Sequence, residues 1–247
     1  MNERQLKILE LLKTQGSLEV AALSGLLGVS GVTVRKDLSA LEGKGLLRRQ
    51  HGSALPVSSN DIAYRMTIDY ELKRRIARRA CEMVGRGETV MIESGSTCAM
   101  LAEELAQKQQ DVTIVTNSAF IADHIRSLAG VRIVLLGGNY DPEAQIMSGP
   151  LTRLCVKEFY VDKFFIGTDG YDKEQGFSNV DLVRAETVRF MAERSTKRII
   201  LTNSAKFGRR GVVSLMPTRD VSAVVTDSLP EAYRTSLEEN NVEIILA

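Results

Sequence analysis

Tryptophan is absent from this 247-residue chain, aromatic residues make up only 5%, and there are just two histidines and three cysteines. The cysteines, Cys81, Cys98 and Cys155, are odd in number and far apart, with no CxxC pair and no Cys/His spacing. Neither a disulfide framework nor a zinc site is indicated, and no metal or cofactor is expected. No apolar run approaches the roughly 20 residues that a membrane-crossing helix needs. The opening residues, Met1-Asn2-Glu3-Arg4-Gln5-Leu6, are charged and lack the apolar core of a secretory signal. These absences make a cytoplasmic protein without a membrane partner the expectation.

What is present is an ordinary globular balance, 44% hydrophobic and 26% charged, which excludes a disordered chain. The length suits one small and one medium domain. Net charge is only +1, but it is unevenly spread: residues 1–55 hold eight basic and five acidic side chains, and the remainder holds 24 and 26. A mildly basic segment is the footprint of a polyanion partner. An excess of three charges decides nothing alone; the pattern beneath it does.

Apolar residues Leu6, Ile8, Leu9, Leu11 and Leu12 predict a helix from about Asn2 to Gln15, stopped by Gly16. Ser17 is expected to cap a second helix with Val20, Leu23, Leu26 and Leu27 inward. Gly28 permits a positive φ in the turn that follows. Ser30 is expected to cap a third helix carrying Val34, Leu38 and Leu41 inward and Thr33, Arg35, Lys36 and Ser39 outward. Gly43 and Gly45 end it, and Leu46 to Gly52 reads as a short hairpin with a basic edge. Three short helices, a glycine turn and a basic hairpin describe a winged helix-turn-helix. The third helix would enter the major groove by its N-terminal turn, with Arg35 and Lys36 on guanine edges or phosphates and Ser30 and Thr33 on phosphates or bases. Arg48, Arg49 and His51 on the wing would hold the DNA backbone.

The run from Leu27 to Leu38, LGVSGVTVRKDL, followed by Leu41 to Gly52, LEGKGLLRRQHG, resembles the reading head of the DeoR family of bacterial sugar-metabolism regulators. Val34, Lys36 and Ser53 stand where that family usually has Ile, Arg and Gly. Lys36 is the departure with a physical consequence, because Lys makes a point contact where Arg grips with two donors.

Residues 1–54 are thus expected to form the head, 55–69 a Pro- and Ser-containing linker, and 70–247 a second domain. That domain opens on a strongly basic helix (Lys73, Arg74, Arg75, Arg78, Arg79), which reads as a solvated or packing face rather than a second DNA site. Apolar strands are expected at Thr89–Glu93, Val112–Thr116, Val131–Leu136, Phe164–Gly167, Arg198–Thr202, Ala223–Thr226 and Val242–Leu246. Helical patterns fall near 97–107, 118–128, 149–159, 180–194 and 230–240. Alternation of this kind means an α/β fold, a mainly parallel, doubly wound sheet, with ligands at the carboxyl ends of its strands. Those ends are polar and glycine-bearing: Glu93-Ser94-Gly95-Ser96-Thr97, Asn117-Ser118, Gly137-Gly138, Thr168-Asp169-Gly170 and Asn203 to Gly208. The first, at a helix N-terminus, has the chemistry of a phosphate cradle.

The same stretches are similar to the DeoR sensor domain, which in turn is similar to ribose-5-phosphate isomerase and glucosamine-6-phosphate deaminase. The resemblance implies that Ser94 to Thr97 with Lys206 hold the phosphate of a sugar phosphate, while Asn117, Gly138 and Asp169 face the sugar. Glu93 and Asn203 depart from acidic positions of the family and bear on ligand choice. The implied protein is a homo-oligomer, dimer or tetramer, that binds a double-stranded DNA operator and regulates carbohydrate metabolism, usually as a repressor, under control of a phosphorylated sugar. Two alternatives stand beside it: an isomerase-like enzyme and a DNA binder without a ligand. Isomerisation needs a carboxylate base and an acid partner, for which Glu93, Asp169, Asp181 and Glu186 are available. Glu186 reads as a helix-surface acid beside Arg184 or Arg189, and no catalytic residue is assigned.

Overall fold

The computed structural model describes residues 2–43, 45–56, 61–108 and 111–247. They divide into two compact units, Met1–Asp69 and Tyr70–Ala247.

In the first unit, α1 (Glu3–Gln15) starts from Asn2, whose side chain accepts from the Gln5 amide while the Gln5 side chain accepts from the Asn2 N–H. This reciprocal box satisfies two amides that the helix itself cannot. Gly16, at φ 74°, ends it. The next helix departs from expectation. Ser17 does not cap it, because Leu18–Glu19 (β1) are drawn into a sheet, opposite Ala54 and Ser53, so α2 (Val20–Leu27) begins later with no side-chain cap. Leu26, expected inward, is 51% exposed. Gly28 is left-handed, at φ 64°. Ser30 then caps α3 (Gly31–Glu42), accepting from the Thr33 amide at 3.2 Å. The wing is β2 (Leu47–Gln50) and β3 (Ser53–Pro56), joined by His51-Gly52, both at positive φ, as a two-residue hairpin turn demands. The sheet order is β1-β3-β2. Ile8, Leu12, Leu23, Val34, Leu38, Leu41 and Leu47 form the buried centre.

The expected linker needs correction. Leu55 and Pro56 finish β3, and Ile62–Thr67 forms a helix, α4, capped by the Asp61 side chain on the Tyr64 amide at 2.9 Å. Tyr64 joins the core of the first unit. Six residues are too few to show a helical period, which is why the pattern read as irregular. The part of the expected linker at 57–60 lies outside the described residues.

The second unit runs α5 (Tyr70–Cys81), β4 (Thr89–Ile92), α6 (Ser96–Gln107), β5 (Val112–Thr116), α7 (Ala119–Ile125), β6 (Val131–Leu135), β7 (Asn139–Asp141), β8 (Ile146–Ser148), α8 (Pro150–Lys157) and β9 (Val161–Gly167). It continues with β10 (Gly170–Asp172), β11 (Gly176–Asn179), α9 (Leu182–Ala192), β12 (Ser195–Leu201), β13 (Val213–Met216), β14 (Ala223–Thr226), α10 (Glu231–Glu239) and β15 (Glu243–Leu246). Seven strands form one sheet in the order β15-β14-β12-β9-β4-β5-β6, with parallel pairing throughout. They are the seven strands read from the alternation. The chain starts the sheet at β4, works outward through β5 and β6, then restarts at β9 and works outward the other way. The switch point, where an open parallel sheet leaves its crevice, therefore lies between β4 and β9.

Two antiparallel additions escaped the sequence reading: the pair β7-β8 and the sheet β10-β11-β13. Their strands have three or four residues each, and β13 reaches its partner from beyond α9 and β12, a non-local pairing that no local pattern announces. The scarce aromatics concentrate here. Tyr171 packs against Phe177, Phe207 and Tyr233 with ring centroids 4.6–6.0 Å apart. The Tyr171 hydroxyl reaches Ser236 at 3.0 Å. The basic helix α5 spends Arg74 and Arg78 on Glu104 of α6, at 3.0 and 3.1 Å.

Candidate functional site

On the first unit, Ser30, Arg35 and Lys36 lie exposed and Thr33 half-buried along the beginning of α3. Ser30 Oγ is occupied as the cap and stands 3.0 Å from Thr33 Oγ1. Arg48, Arg49 and His51 are exposed on the wing. Arg49 also ties the wing to the helix: its guanidinium donates to Ser39 Oγ and its amide to Glu42 Oε1, both at 2.9 Å. A residue missed in the sequence is Asp37. It is buried on the inner face of α3 and accepts from Arg4 Nε and, at 3.3 Å, from Gln5 Nε2 of α1. The hydrogen bond from Arg4 pulls the Asp37 carboxyl below its ordinary value, against the opposing effect of burial. An acid between Val34 and Leu38 on a helix's inner face was the available signal, since buried carboxylates are nearly always paired. The result is a helix end with exposed cations, held at a fixed angle by α1 and the wing.

On the second unit, Glu93 to Thr97, Asn117, Ser118 and Asp169 follow β4, β5 and β9 at or beside the switch point, whereas Gly137 and Gly138 follow the edge strand β6. Ile92 sits opposite Phe165 on one side and Thr116 on the other, so Glu93, Asn117 and Gly167 leave adjacent strand ends. Glu93 is fully buried. Its carboxylate accepts from Ser94 Oγ at 3.1 Å, from the Gly167 amide at 3.2 Å and from Arg184 Nη2 at 3.1 Å. A Cβ on Gly95 or Gly167 would stand 3.0 or 3.1 Å from Glu93 Oε2. Glycine at both positions is what leaves room for that carboxylate. Ser94, Gly95, Ser96 and Thr97 are all buried, and α6 starts at Gly95 with no side-chain cap, so its first-turn amides have no partner within the helix.

Asn117 donates Nδ2 to the Met147 carbonyl at 3.2 Å, while its Oδ1 is buried without a partner. Ser118 is engaged as the cap of α7, accepting from the Ile121 amide at 3.1 Å. Asp169 accepts from the Val180 amide at 3.2 Å and faces Lys206 Nζ at 3.9 Å, so two residues far apart in sequence meet. Gly170 is buried against the Arg209 carbonyl, with no room for a Cβ. The close approach that Gly138 permits is to the chain itself: an added Cβ would meet Thr152 Oγ1 and, at 2.6 Å, the Ser148 carbonyl. Gly137 accepts from Thr152 Oγ1 at 2.8 Å. This pair of glycines thus seats α8 and β8 beneath the end of β6.

Arg184 and Asn179 were missed. Arg184 lies in the first turn of α9, where a cation opposes the helix dipole; that misfit was the sequence signal for a carboxylate nearby. Its side chain is 11% exposed, and its Nε has no hydrogen-bond partner. Burial lowers the guanidinium pKa, but attraction to Glu93 and Asp169 outweighs it and leaves the value raised. Asn179 Nδ2, at the end of β11, is likewise buried without a partner. Among the described residues no cluster of three or more His, Cys, Asp or Glu could hold a metal ion, and no helix is long and apolar enough to cross a membrane.

The DeoR-like helix-turn-helix domain family matches residues 4–60, and the DeoR C terminal sensor domain family matches residues 68–228. The Glycerol-3-phosphate regulon repressor of Escherichia coli (strain K12) is 31% identical, covering 92% of this chain and 91% of its own. The Transcriptional repressor AccR of Agrobacterium fabrum (strain C58) is also 31% identical, covering 92% and 89%. The L-fucose operon activator of Haemophilus influenzae (strain Rd) is 26% identical over the full length of both chains.

Proposed function

The chain belongs to the DeoR family of DNA-binding transcriptional regulators, and from that premise we propose that it represses a carbohydrate-metabolism operon under control of a phosphorylated sugar. The sugar phosphate binds at the carboxyl ends of β4, β5, β9 and β12. The observation that carries this reading is Asn117 Oδ1, buried without a partner where β5 ends beside β4, on the same edge of the sheet as the uncapped start of α6. An unpartnered buried polar atom costs about 1–3 kcal/mol, a cost that a ligand rich in hydroxyls removes. Uncapped helix amides beside small hydroxyl residues favour a phosphate, and Lys206 adds a cation within reach of Asp169.

An isomerase reading finds its candidate carboxylates engaged or turned to the surface: Asp169 accepts from the Val180 amide and faces Lys206. The Glu93 carboxylate is held by Arg184, Ser94 and Gly167, and Asp181 caps α9 on the Arg184 amide. Glu186 is exposed on the surface of α9.

For the head, Arg35 and Lys36 take base edges or phosphates from the start of α3, while Arg48, Arg49 and His51 take the backbone. Ser30 and Thr33 lie where phosphate oxygens approach the helix start. Paired heads of a homo-oligomer read repeated half-sites. The ligand controls DNA binding by favouring one arrangement of heads over another, which requires unequal affinity for the two states.

The test is a thermal-shift screen of the full chain against sugar phosphates, followed by operator binding with and without the best ligand. A ligand that binds only the native state raises the melting temperature. The expected outcome is a shift with one or few sugar phosphates, loss of that shift in Lys206→Ala, and a changed operator affinity. A full shift in Lys206→Ala would refute the phosphate assignment, and an operator affinity indifferent to every ligand would refute the control.

A further inference from the structure

Arg184 has a place in this site that neither its helix nor its ion pair explains. Ser94 Oγ and Arg184 Nη2 both donate to the same oxygen, Glu93 Oε1, at 3.1 Å each. The guanidinium therefore lies two hydrogen bonds from the loop that leads into α6. One of its nitrogens is satisfied by Glu93, while Nε, on a side chain only 11% exposed, has no partner. A guanidinium presents its donors in a planar fork suited to oxyanions, and here one prong is taken by the chain and another is left over. Glu93 is the opposite case. Its two oxygens receive donors from Ser94, Gly167 and Arg184, and it is fully buried.

Resting on the reading of this site as a sugar-phosphate pocket, we infer that Arg184 is a direct contact of the ligand's phosphate through Nε, and that Glu93 is the residue that positions Arg184 rather than a ligand contact. The arrangement solves a charge problem. A carboxylate at the mouth of a phosphate cradle repels the ligand, and the paired guanidinium cancels that repulsion while adding a donor. Gly95 and Gly167 keep the carboxylate's space open on both sides. The ligand's phosphate then meets the α6 amides on one side and Arg184 on another, with Lys206 as a further cation.

The test uses the full-length protein and calorimetric titration with the sugar phosphate that gives the largest thermal shift, alongside inorganic phosphate. Arg184→Lys retains a cation for Glu93 but has no Nε. It is expected to bind about tenfold or more weakly, as loss of a charged hydrogen bond implies. Glu93→Gln with Arg184→Gln removes both charges together, leaves no buried ion unpaired, and is expected to lose at least as much. Glu93→Gln alone keeps an acceptor oxygen for the Arg184 guanidinium and removes a repulsive charge, so it is expected to bind within about threefold of the parent or more tightly. Glu93→Ala, which removes the acceptor that positions Arg184, is expected to bind about as weakly as Arg184→Lys; parent-like binding in Glu93→Ala would overturn the positioning role. On the unmutated protein, the Nε–H resonance of Arg184, assigned by its disappearance in Arg184→Lys, is expected to shift when ligand is added. Parent-like affinity in Arg184→Lys, with loss confined to Lys206→Ala, would overturn the role of Arg184 and leave the pocket standing. Equal losses in Glu93→Gln and the double variant would place the contact in Glu93 and also overturn it. Failure of the parent protein to bind any sugar phosphate would overturn the pocket reading and this inference together.

Discussion

Replacing Gly170 by Ala isolates one steric demand of the sensor. Gly170 opens β10 directly after Asp169, and its backbone φ is not in the left-handed region. Conformational freedom is therefore not why glycine stands there. The reason is space: an added Cβ would meet the Arg209 carbonyl oxygen, with the Arg209 carbonyl carbon at 2.8 Å and Ser178 Oγ at 3.1 Å. Two of these are backbone atoms of a segment that also carries Lys206 and Phe207, and Phe207 packs on Tyr171 with ring centroids 5.6 Å apart. Overpacking against atoms that cannot rotate away costs typically 1–3 kcal/mol, and the backbone contact places this change near the upper end, about 3 kcal/mol. For a unit of this size each kcal/mol moves the melting temperature by about 2–4 °C, so a fall of about 6–12 °C is expected in scanning calorimetry. Because the clash pushes the Arg209 segment away from Asp169, the ligand-induced shift should shrink as well. A melting temperature within about 1 °C of the parent would show that the segment yields freely, and the packing account of the site's rigidity would fail.

Gly25 is the converse case. It lies inside α2 with nothing within 4 Å of an added Cβ, so Gly25→Ala should stabilise the first unit by about 0.5–1 kcal/mol through helix propensity; urea unfolding showing a loss would contradict this. Asp37 is held below the ordinary carboxylate range by the Arg4 hydrogen bond. Its contribution is therefore fully present above the ordinary value of about 3.9 and is lost as pH falls through the depressed folded value. The stability gap between the parent and Asp37→Asn should accordingly narrow between pH 5 and pH 2, and a pH-independent gap in urea titrations would remove the ion pair from the account. Arg35→Ala should weaken operator binding. If Arg35 contacts phosphate, the slope of log affinity against log salt falls by about 1; if it reads a guanine, about 1–3 kcal/mol of discrimination is lost at one position. Unchanged affinity for operator and for unrelated DNA would move the interface off α3.

The elements that sequence made legible are those with long or strongly marked local patterns. All seven parallel strands were visible as short apolar runs between helical periods; the central ones, such as β4 and β14, are covered on both faces and so must be apolar along their length. Ser30 and Gly28 announced the turn before α3 through their own backbone preferences. Ser17 misled because a cap is a local signal, and the pairing of β1 with β3 comes from more than thirty residues downstream. The linker hid α4, since one and a half turns show no period. The strand ends were legible as polar, glycine-bearing loops, but their partners were not. Gly137-Gly138 looked like ligand-approach glycines and proved to seat Ser148 and Thr152.

Sequence by itself determined the family, the reading head with its exposed cations on α3 and the wing, and the alternating chain that forces a parallel sheet. Those follow from local propensity, periodicity and charge, each readable over a dozen residues. Only the tertiary structure decided which strands adjoin, and so that Glu93, Gly167 and Arg184, drawn from β4, β9 and α9, meet around one carboxylate. Hydrogen-bond partners across such distances are set by strand order and by the burial of charge that must be paired. A single sequence carries no local mark of either.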